Sequence, residues 1–285
     1  MTTGTPSPQD QEALWKGPAG HAWVDTREVL EQLFKPFEAL FIEAVRAAGA
    51  HRVLDVGCGT GSTTLAVARH LGSTGQCVGL DVSTPMLAVA REQAEAQHVA
   101  ARFIDANAET HAFEPASFDL VMSRFGVMFF DDPVRAFSNL RRAATGDARL
   151  CCIAWRSPEE NPFMTTAEKA AAPYLTNIPP RIPDAPGQFA FADPNRVQRI
   201  LEQSGWMDIT LRAIDVPCTM PARSLAQYVT RLGPVGRVIQ ELDEQARAKL
   251  VDTLLAAFSP FVHGDEVRLT AACWRIEARA PSVAT

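Results

Sequence analysis

The chain has no cluster of lysine and arginine. With 27 of these residues against 33 Asp and Glu, its net charge is −6, so a polyanion finds no electrostatic footprint and nucleic acid is not expected as a partner. No stretch reaches the roughly 20 apolar residues of a membrane span. Met1 to Gln11 is polar and lacks the apolar centre of a secretory signal. These features predict a cytoplasmic protein without a membrane span; they do not choose between monomer and homodimer. The six cysteines, at 58, 77, 151, 152, 218 and 273, form no Cys-x-x-Cys pair and no ligand spacing with histidine, so no metal is expected. Cys77, Cys151, Cys152 and Cys273 sit in apolar, strand-like runs, where a free thiol is a small hydrophobe. There is no internal repeat and no low-complexity tract.

What is present centres on His51 to Gly61, His-Arg-Val-Leu-Asp-Val-Gly-Cys-Gly-Thr-Gly. Arg52 to Val56 suits a buried strand, Gly57, Gly59 and Gly61 mark a tight turn, and Thr63 to His70 resumes at helical spacing. Cys58 is expected to pack beneath that turn. A dinucleotide fingerprint needs Gly-x-Gly-x-x-Gly, and counting from Gly57 puts Ser62 at its third glycine. Here the glycines fall at every second residue, and Asp55 precedes the first by two. A carboxylate there would repel a pyrophosphate but could receive a ligand's ammonium group.

About 20 residues on, Gln76 to Asp81 reads as a second strand closing in a carboxylate, the position at which a ribose hydroxyl is met in nucleotide folds. Ser83 or Thr84 can cap the following helix, with Pro85 in its first turn. Ala101 to Asp105 and Ser117 to Ser123 make two further strands. Strands ending near Val56, Asp81, Asp105, Ser123 and Trp155 alternate with helical runs at 62–71, 84–98 and 133–143. That alternation predicts an α/β parallel sheet covered on both faces.

Ahead of this core, residues 8–48 predict two or three helices. Trp15 and Trp23 flank a Gly17-Pro18 break. They read either as helix packing on the core or as a lid, since a cation favours aromatic faces. After the fourth strand, Arg124-Phe125-Gly126-Val127-Met128-Phe129-Phe130 leaves the edge at which open α/β folds bind ligands. Arg124 there reads as an anchor for a carboxylate or as half of a surface ion pair, and the Phe cluster as core or pocket. From Ser157 prolines crowd one connection, so 157–192 cannot be a single helix. Asp193 and Pro194 start a helix, Gly205 ends it, and Trp206 to Val216 is a strand. Residues 217–264 are mostly helical, and Asp265 to Ala278 is a last, antiparallel strand. The organisation expected is a lid over 1–50, a core over 51–156 and a completion over 157–285, with insertions at 157–192 and 217–264 roofing the site.

With Asp-x-Gly-x-Gly-x-Gly at 55–61, Asp-x-Ser-x-x-Met-Leu at 81–87, Asp105-Ala106 and the stretch Phe118–Phe130, the chain resembles the class I S-adenosylmethionine (SAM) methyltransferases. Within them it is most similar to the small-molecule group typified by ubiquinone- and menaquinone-biosynthesis C-methyltransferases. The likeness covers residues 50–156 well and the rest in outline. It implies a Rossmann-like seven-stranded mixed sheet, order 3-2-1-4-5-7-6, with the last strand reversed. It also implies SAM as cofactor. Gly57, Gly59 and Gly61 would cradle the methionyl part, supported by Asp55; Asp81 would hold the ribose and Met86 the adenine face. Asp105 and Ala106 would read the adenine edge, and Ser123 would sit beside the amino group.

The function expected is methyl transfer to a small, largely apolar or aromatic acceptor, with Trp15, Trp23, Arg124, Phe129 and Phe189 near it. Should the acceptor have to lose a proton, His21 and His263 are the candidate bases, since both fall in segments expected to roof the site; each also reads as a solvated histidine. Two other readings keep the glycine loop: a SAM-binding regulatory or partner subunit without turnover, and a nicotinamide-dependent oxidoreductase.

Overall fold

A computed structural model describes residues 8–175, 182 and 184–282 of the chain. The expected prolines at 179, 180 and 183 lie outside these residues. Four helices precede the sheet, α1 (Pro8–Lys16), α2 (Pro18–Asp25), α3 (Arg27–Phe34) and α4 (Pro36–Ala48). This is one or two more than the hydrophobic pattern predicts. Pro8, Pro18 and Pro36 each open a helix, because proline at the first position forfeits only an N–H that has no partner there. Gly49 ends α4 with φ 59, its N–H returning to Arg46 O at 3.1 Å.

The core then alternates as expected: β1 (Arg52–Val56), α5 (Ser62–Leu71), β2 (Gln76–Asp81), α6 (Thr84–Ala96), β3 (Ala101–Asp105), β4 (Phe118–Arg124), α7 (Pro133–Ala143) and β5 (Ala144–Trp155). There follow α8 (Pro162–Ala171), α9 (Pro194–Gln203), β6 (Met207–Pro221), α10 (Leu225–Arg231), α11 (Gly233–Val238), α12 (Glu244–Ala257), β7 (Val262–His263) and β8 (Glu266–Arg279). The sheet order is β3-β2-β1-β4-β5-β8-β6, with the two-residue β7 pairing only β8. Leaving that short hairpin aside, this is the 3-2-1-4-5-7-6 order. The first five strands are parallel, and β8 runs antiparallel to both β5 and β6. Central strands read as continuous apolar runs: Val53, Leu54, Leu120, Val121 and Met122 are all completely buried, as expected for a sheet covered on both faces.

Two expectations shift. The sixth strand does not stop at Val216 but runs to Pro221, pairing Pro217 with Thr270 and Pro221 with Glu266. β6 is the outermost strand, and proline is tolerated where one side of the strand has no partner. The second insertion therefore begins after residue 221. Inside the insertions, α8 packs on α11 and α12, and α10 packs on α11 and α12. Gln227 Nε2 donates to Asp25 O at 2.8 Å, tying α10 to the end of α2. Asp193 caps α9 by accepting from Asn195 N at 2.9 Å, as expected. Among the described residues, no helix is long and apolar enough to cross a membrane.

Candidate cofactor and acceptor site

The β1–α5 connection is a backbone device. Gly57, Gly59 and Gly61 have φ of 68, 57 and 86, a left-handed region that costs glycine little and other residues much. Alternating glycine therefore serves a loop that turns left-handed at every second residue. The end of β2 grips it: Gly57 N and Cys58 N both donate to Leu80 O, at 2.8 and 3.1 Å. Gly59 N donates to Asp81 Oδ2 at 2.8 Å, and Ser83 N to Asp81 Oδ1 at 2.8 Å. On the other side the loop lies against the end of β4. A Cβ on Gly57 would stand 2.6 Å from Gly126 Cα, and one on Gly126 would stand 2.6 Å from Val56 O. Gly126 is thus as necessary as the motif glycines, although only the β1–β4 adjacency reveals it.

Above the loop lies a cavity partly open to solvent, the concave form usual for small-molecule sites. Its floor is Gly57, Gly59, Asp81, Met86 and Ala106, and its far wall is Arg124, Gly126 and Phe129. Trp15 and Trp23 form the roof. Trp15 stands edge-on to Phe129 at 4.9 Å between centroids and to Trp23 at 6.0 Å. The backbone of α1 is pinned to the β2 side, where Ser83 Oγ donates to Trp15 O at 2.6 Å. Ser83 is the N-cap of α6, but its hydroxyl makes this contact and no capping bond. The N-terminal helices therefore bridge both banks of the cleft.

The other expected site residues divide by position. Asp55 is buried beneath the loop, accepting from Thr64 Oγ1 at 2.7 Å, and does not reach the cavity wall. Gly61 packs under the turn, where a Cβ would stand 2.9 Å from Ala90 Cβ and 3.1 Å from the Phe103 ring. Ser123 Oγ donates to Val56 O at 2.7 Å and accepts from Gly126 N at 3.2 Å, bracing the loop from behind. Asp105 accepts from Thr84 Oγ1 at 2.8 Å and lies outside the lining, while the neighbouring Ala106 N donates to Asp81 O at 3.0 Å. Phe189 is half-buried on the core, away from the cavity. His21 is exposed, with Nδ1 2.8 Å from Gly17 O of its own helix, and His263 is exposed in β7. Neither histidine lines the cavity, and among the described residues none of 157–192 or 217–264 does. Those insertions pack against one another, so the roof comes from the N-terminal helices. Gln11, Asn107, Glu109 and Asp131 also line the cavity; no spacing in the sequence marks them, because they meet only in the folded chain. The six cysteines are free and buried, and Cys58 Sγ lies under the turn, 2.8 Å from where a Gly79 Cβ would be.

Burial raises the Asp81 carboxyl above its ordinary range, opposed by the Ser83 and Gly59 N–H groups. Burial also pushes Asp55 up to about 7, opposed by the Thr64 hydroxyl and Arg124 and reinforced by Asp81. A carboxyl raised in this way binds its proton more tightly folded than unfolded. The stability it contributes is complete below its ordinary 3.8 and is lost as pH rises through about 7. We expect the wild type to lose melting temperature between about pH 4 and 7. Asp55→Asn, which keeps an acceptor for Thr64, should melt higher at the alkaline end and with a shallower slope. Some slope will remain, since Asp81 and Glu38 shift the same way. Calorimetry across this window checks it: an unaltered slope in the variant would assign the dependence to other groups.

Comparison with known proteins agrees with this geometry. Residues 53–146 match the family model described as a methyltransferase domain. The chain is 38% identical over 116 residues to the demethylmenaquinone methyltransferase of Lactiplantibacillus plantarum, covering 40% of this chain and 48% of that protein. It is 30% identical over 149 residues to the 2-phytyl-1,4-naphtoquinone methyltransferase of Trichormus variabilis, covering 50% and 62%. The match thus spans about half to three fifths of these relatives' length. The YcgJ protein of Bacillus subtilis superposes with a TM-score of 0.56 over 86% of this chain and 98% of that one, at 18% identity; that likeness is one of fold. Residues 53–146 thus match a methyltransferase domain, and the chain has a methyltransferase fold with sequence similarity to methyltransferases of quinone biosynthesis.

Proposed function

We propose that the protein transfers a methyl group from SAM to a small, largely apolar or aromatic acceptor. The observation that carries this reading is the buried Asp81 carboxylate facing, across the glycine loop, a cavity roofed by Trp15, Trp23 and Phe129. The residues present fit the cofactor. A Cβ on Gly59 would meet nothing nearer than Met86 Sδ at 3.7 Å, so the loop backbone leaves room for a ligand to lie close. Asp81 has further lone pairs for a pair of ribose hydroxyls, and Met86 offers an apolar face for a base. The quinones in the relatives' names support an apolar ring as acceptor.

Bound SAM would supply a methyl group activated on a sulfonium with a good leaving group. The protein's part is orientation, which is worth on the order of 7–11 kcal/mol in well-positioned reactions. Asp81, the glycine loop and Met86 fix one reactant. Trp15, Trp23 and Phe129 exclude water from the gap above it and present ring faces that favour a cation. Where the acceptor must lose a proton, the lining Glu109 replaces the two histidines as candidate base. We read residues 1–50 as the lid, 51–156 as the cofactor core and 157–285 as its completion, in a cytoplasmic enzyme.

Calorimetric titration with SAM, S-adenosylhomocysteine and NAD, followed by mass spectrometry of products from labelled SAM and a panel of quinones and phenols, tests the reading. Binding of SAM and its product, no binding of NAD, and label in at least one ring acceptor are expected. Comparable NAD affinity would replace the assignment with an oxidoreductase. SAM binding without transfer to any acceptor, metabolite extracts included, would favour a silent binding subunit.

A further inference from the structure

The two halves of the glycine loop are gripped differently. Backbone holds the first half: Gly57 N and Cys58 N donate to Leu80 O, and Gly59 N reaches the Asp81 carboxylate. In the second half, Gly61 N turns back to Cys58 O at 3.0 Å, within the loop itself, and Gly61 O starts α5. The hydrogen bonds that tie this half to distant segments fall on Thr60, between two left-handed glycines, and they come from side chains. Gln93 Nε2, on α6, donates to Thr60 O at 2.9 Å and to Glu31 Oε1 at 3.0 Å. The Thr60 hydroxyl donates to the same Glu31 oxygen at 3.4 Å. The three residues close a triangle of hydrogen bonds, although they stand 29, 33 and 62 positions apart in the chain. Thr60 lines the cavity; Glu31 and Gln93 do not.

We infer that Glu31 and Gln93 are positioning residues for the cofactor, holding the second half of the glycine loop in its ligand-receiving shape from outside the cavity; the inference rests on the SAM reading above. Glycine loses more conformational freedom on ordering than any other residue, and this loop has three glycines in the five residues from 57 to 61. Whatever part of it is loose in the free protein must be ordered by the ligand, and that cost is subtracted from affinity. The bracket does the ordering beforehand. A carboxylate suits the task, because its one oxygen accepts from two donors and bonds to an ionised acceptor are the stronger kind. Glu31 is also well anchored. It stands on α3, whose Val29, Leu30, Leu33 and Phe34 are buried, and α3 begins where Thr26 ends α2. The N-terminal segment therefore serves the site twice, with α1 and α2 above the cavity and α3 behind the loop.

Hydrogen exchange of the 57–61 segment, together with calorimetric titration by S-adenosylhomocysteine, tests this on the full chain. In Glu31→Ala and in Gln93→Ala, the ligand-free segment should exchange about tenfold faster. Affinity for S-adenosylhomocysteine should fall by about the same factor, the scale of one hydrogen bond to a charged group. Glu31→Gln, which keeps an acceptor oxygen, should restore most of both. Because the pair acts as a unit on Thr60, the double alanine variant should lose little more than the worse single one. Both side chains are only half-buried, so the ligand-free melting temperature should stay within about 3 °C of the wild type. Unchanged affinity or unchanged exchange in the single variants would overturn the assignment, and so would losses that add in the double variant. Faster exchange throughout the chain with a large drop in melting temperature would overturn it too, since the bracket would then be a general structural contact. A wild type that does not bind S-adenosylhomocysteine would defeat the cofactor reading itself, which the variants cannot do.

Discussion

Asp81→Ala will lose at least about 100-fold in SAM affinity. Two ribose hydroxyls on a carboxylate make charge-assisted bonds of roughly 1.5–3 kcal/mol each, so their sum reaches about 3 kcal/mol at the low end, or two orders of magnitude. The loss will extend beyond the ribose. The same carboxylate accepts from Gly59 N and from Ser83 N, each at 2.8 Å, and alanine leaves both donors without their partner. The glycine loop then loosens at its middle residue, and a drop of several degrees in melting temperature should accompany the binding defect. The two backbone bonds are why the fold will not be undisturbed. Asp81→Asn separates the two roles. It keeps one oxygen for one N–H and sets an amide NH₂ against the other, so binding should fall steeply while stability falls less than in alanine. Calorimetric titration and thermal unfolding of both variants check this. Unchanged SAM affinity in a folded Asp81→Ala protein would move the ribose contact elsewhere.

Removing residues 1–25 will leave a folded protein that binds SAM more weakly and has lost acceptor turnover by roughly 100-fold or more. Folding survives because the buried contribution of the N-terminal segment begins later. In α2 only Gly20 is buried, whereas α3 buries Val29, Leu30, Leu33 and Phe34. The deletion takes away Trp15 and Trp23, the Ser83–Trp15 bond that pins α1, and the edge-on contact with Phe129. Each large apolar side chain withdrawn from a ligand forfeits about 1.5–3 kcal/mol, and two of them account for the predicted loss. Turnover and binding measured on the same deletion distinguish a lid from a merely attached segment. Full activity would show that these helices close nothing.

The cofactor half of the site was legible because its chemistry is local. A loop that must turn left-handed at every second residue needs glycine at 57, 59 and 61, and the strand and helix on either side announce themselves by period. Asp81 and Met86 follow from the next strand–turn–helix in the same way. The acceptor half was legible only as a composition of aromatics. Trp15, Trp23 and Phe129 meet in space across more than 100 residues of chain, while Phe189 and the two histidines, equal candidates by residue type, face elsewhere.

By itself the sequence determined the alternation of strands and helices, the hand of the glycine turn and the carboxylate that closes β2, since each depends on residues within one turn or one strand of each other. Tertiary structure decided what neither spacing nor composition contains. Sheet order put the end of β4 beside the loop, which made Gly126 indispensable and left Arg124 Nη1 buried without a partner. The edge position of β6 let a strand continue through Pro217. The insertions found their apolar partners in one another, and the roof fell to the N-terminal helices. In each case the outcome rests on which surfaces bury each other, a property of the packed chain that no short window of sequence encodes.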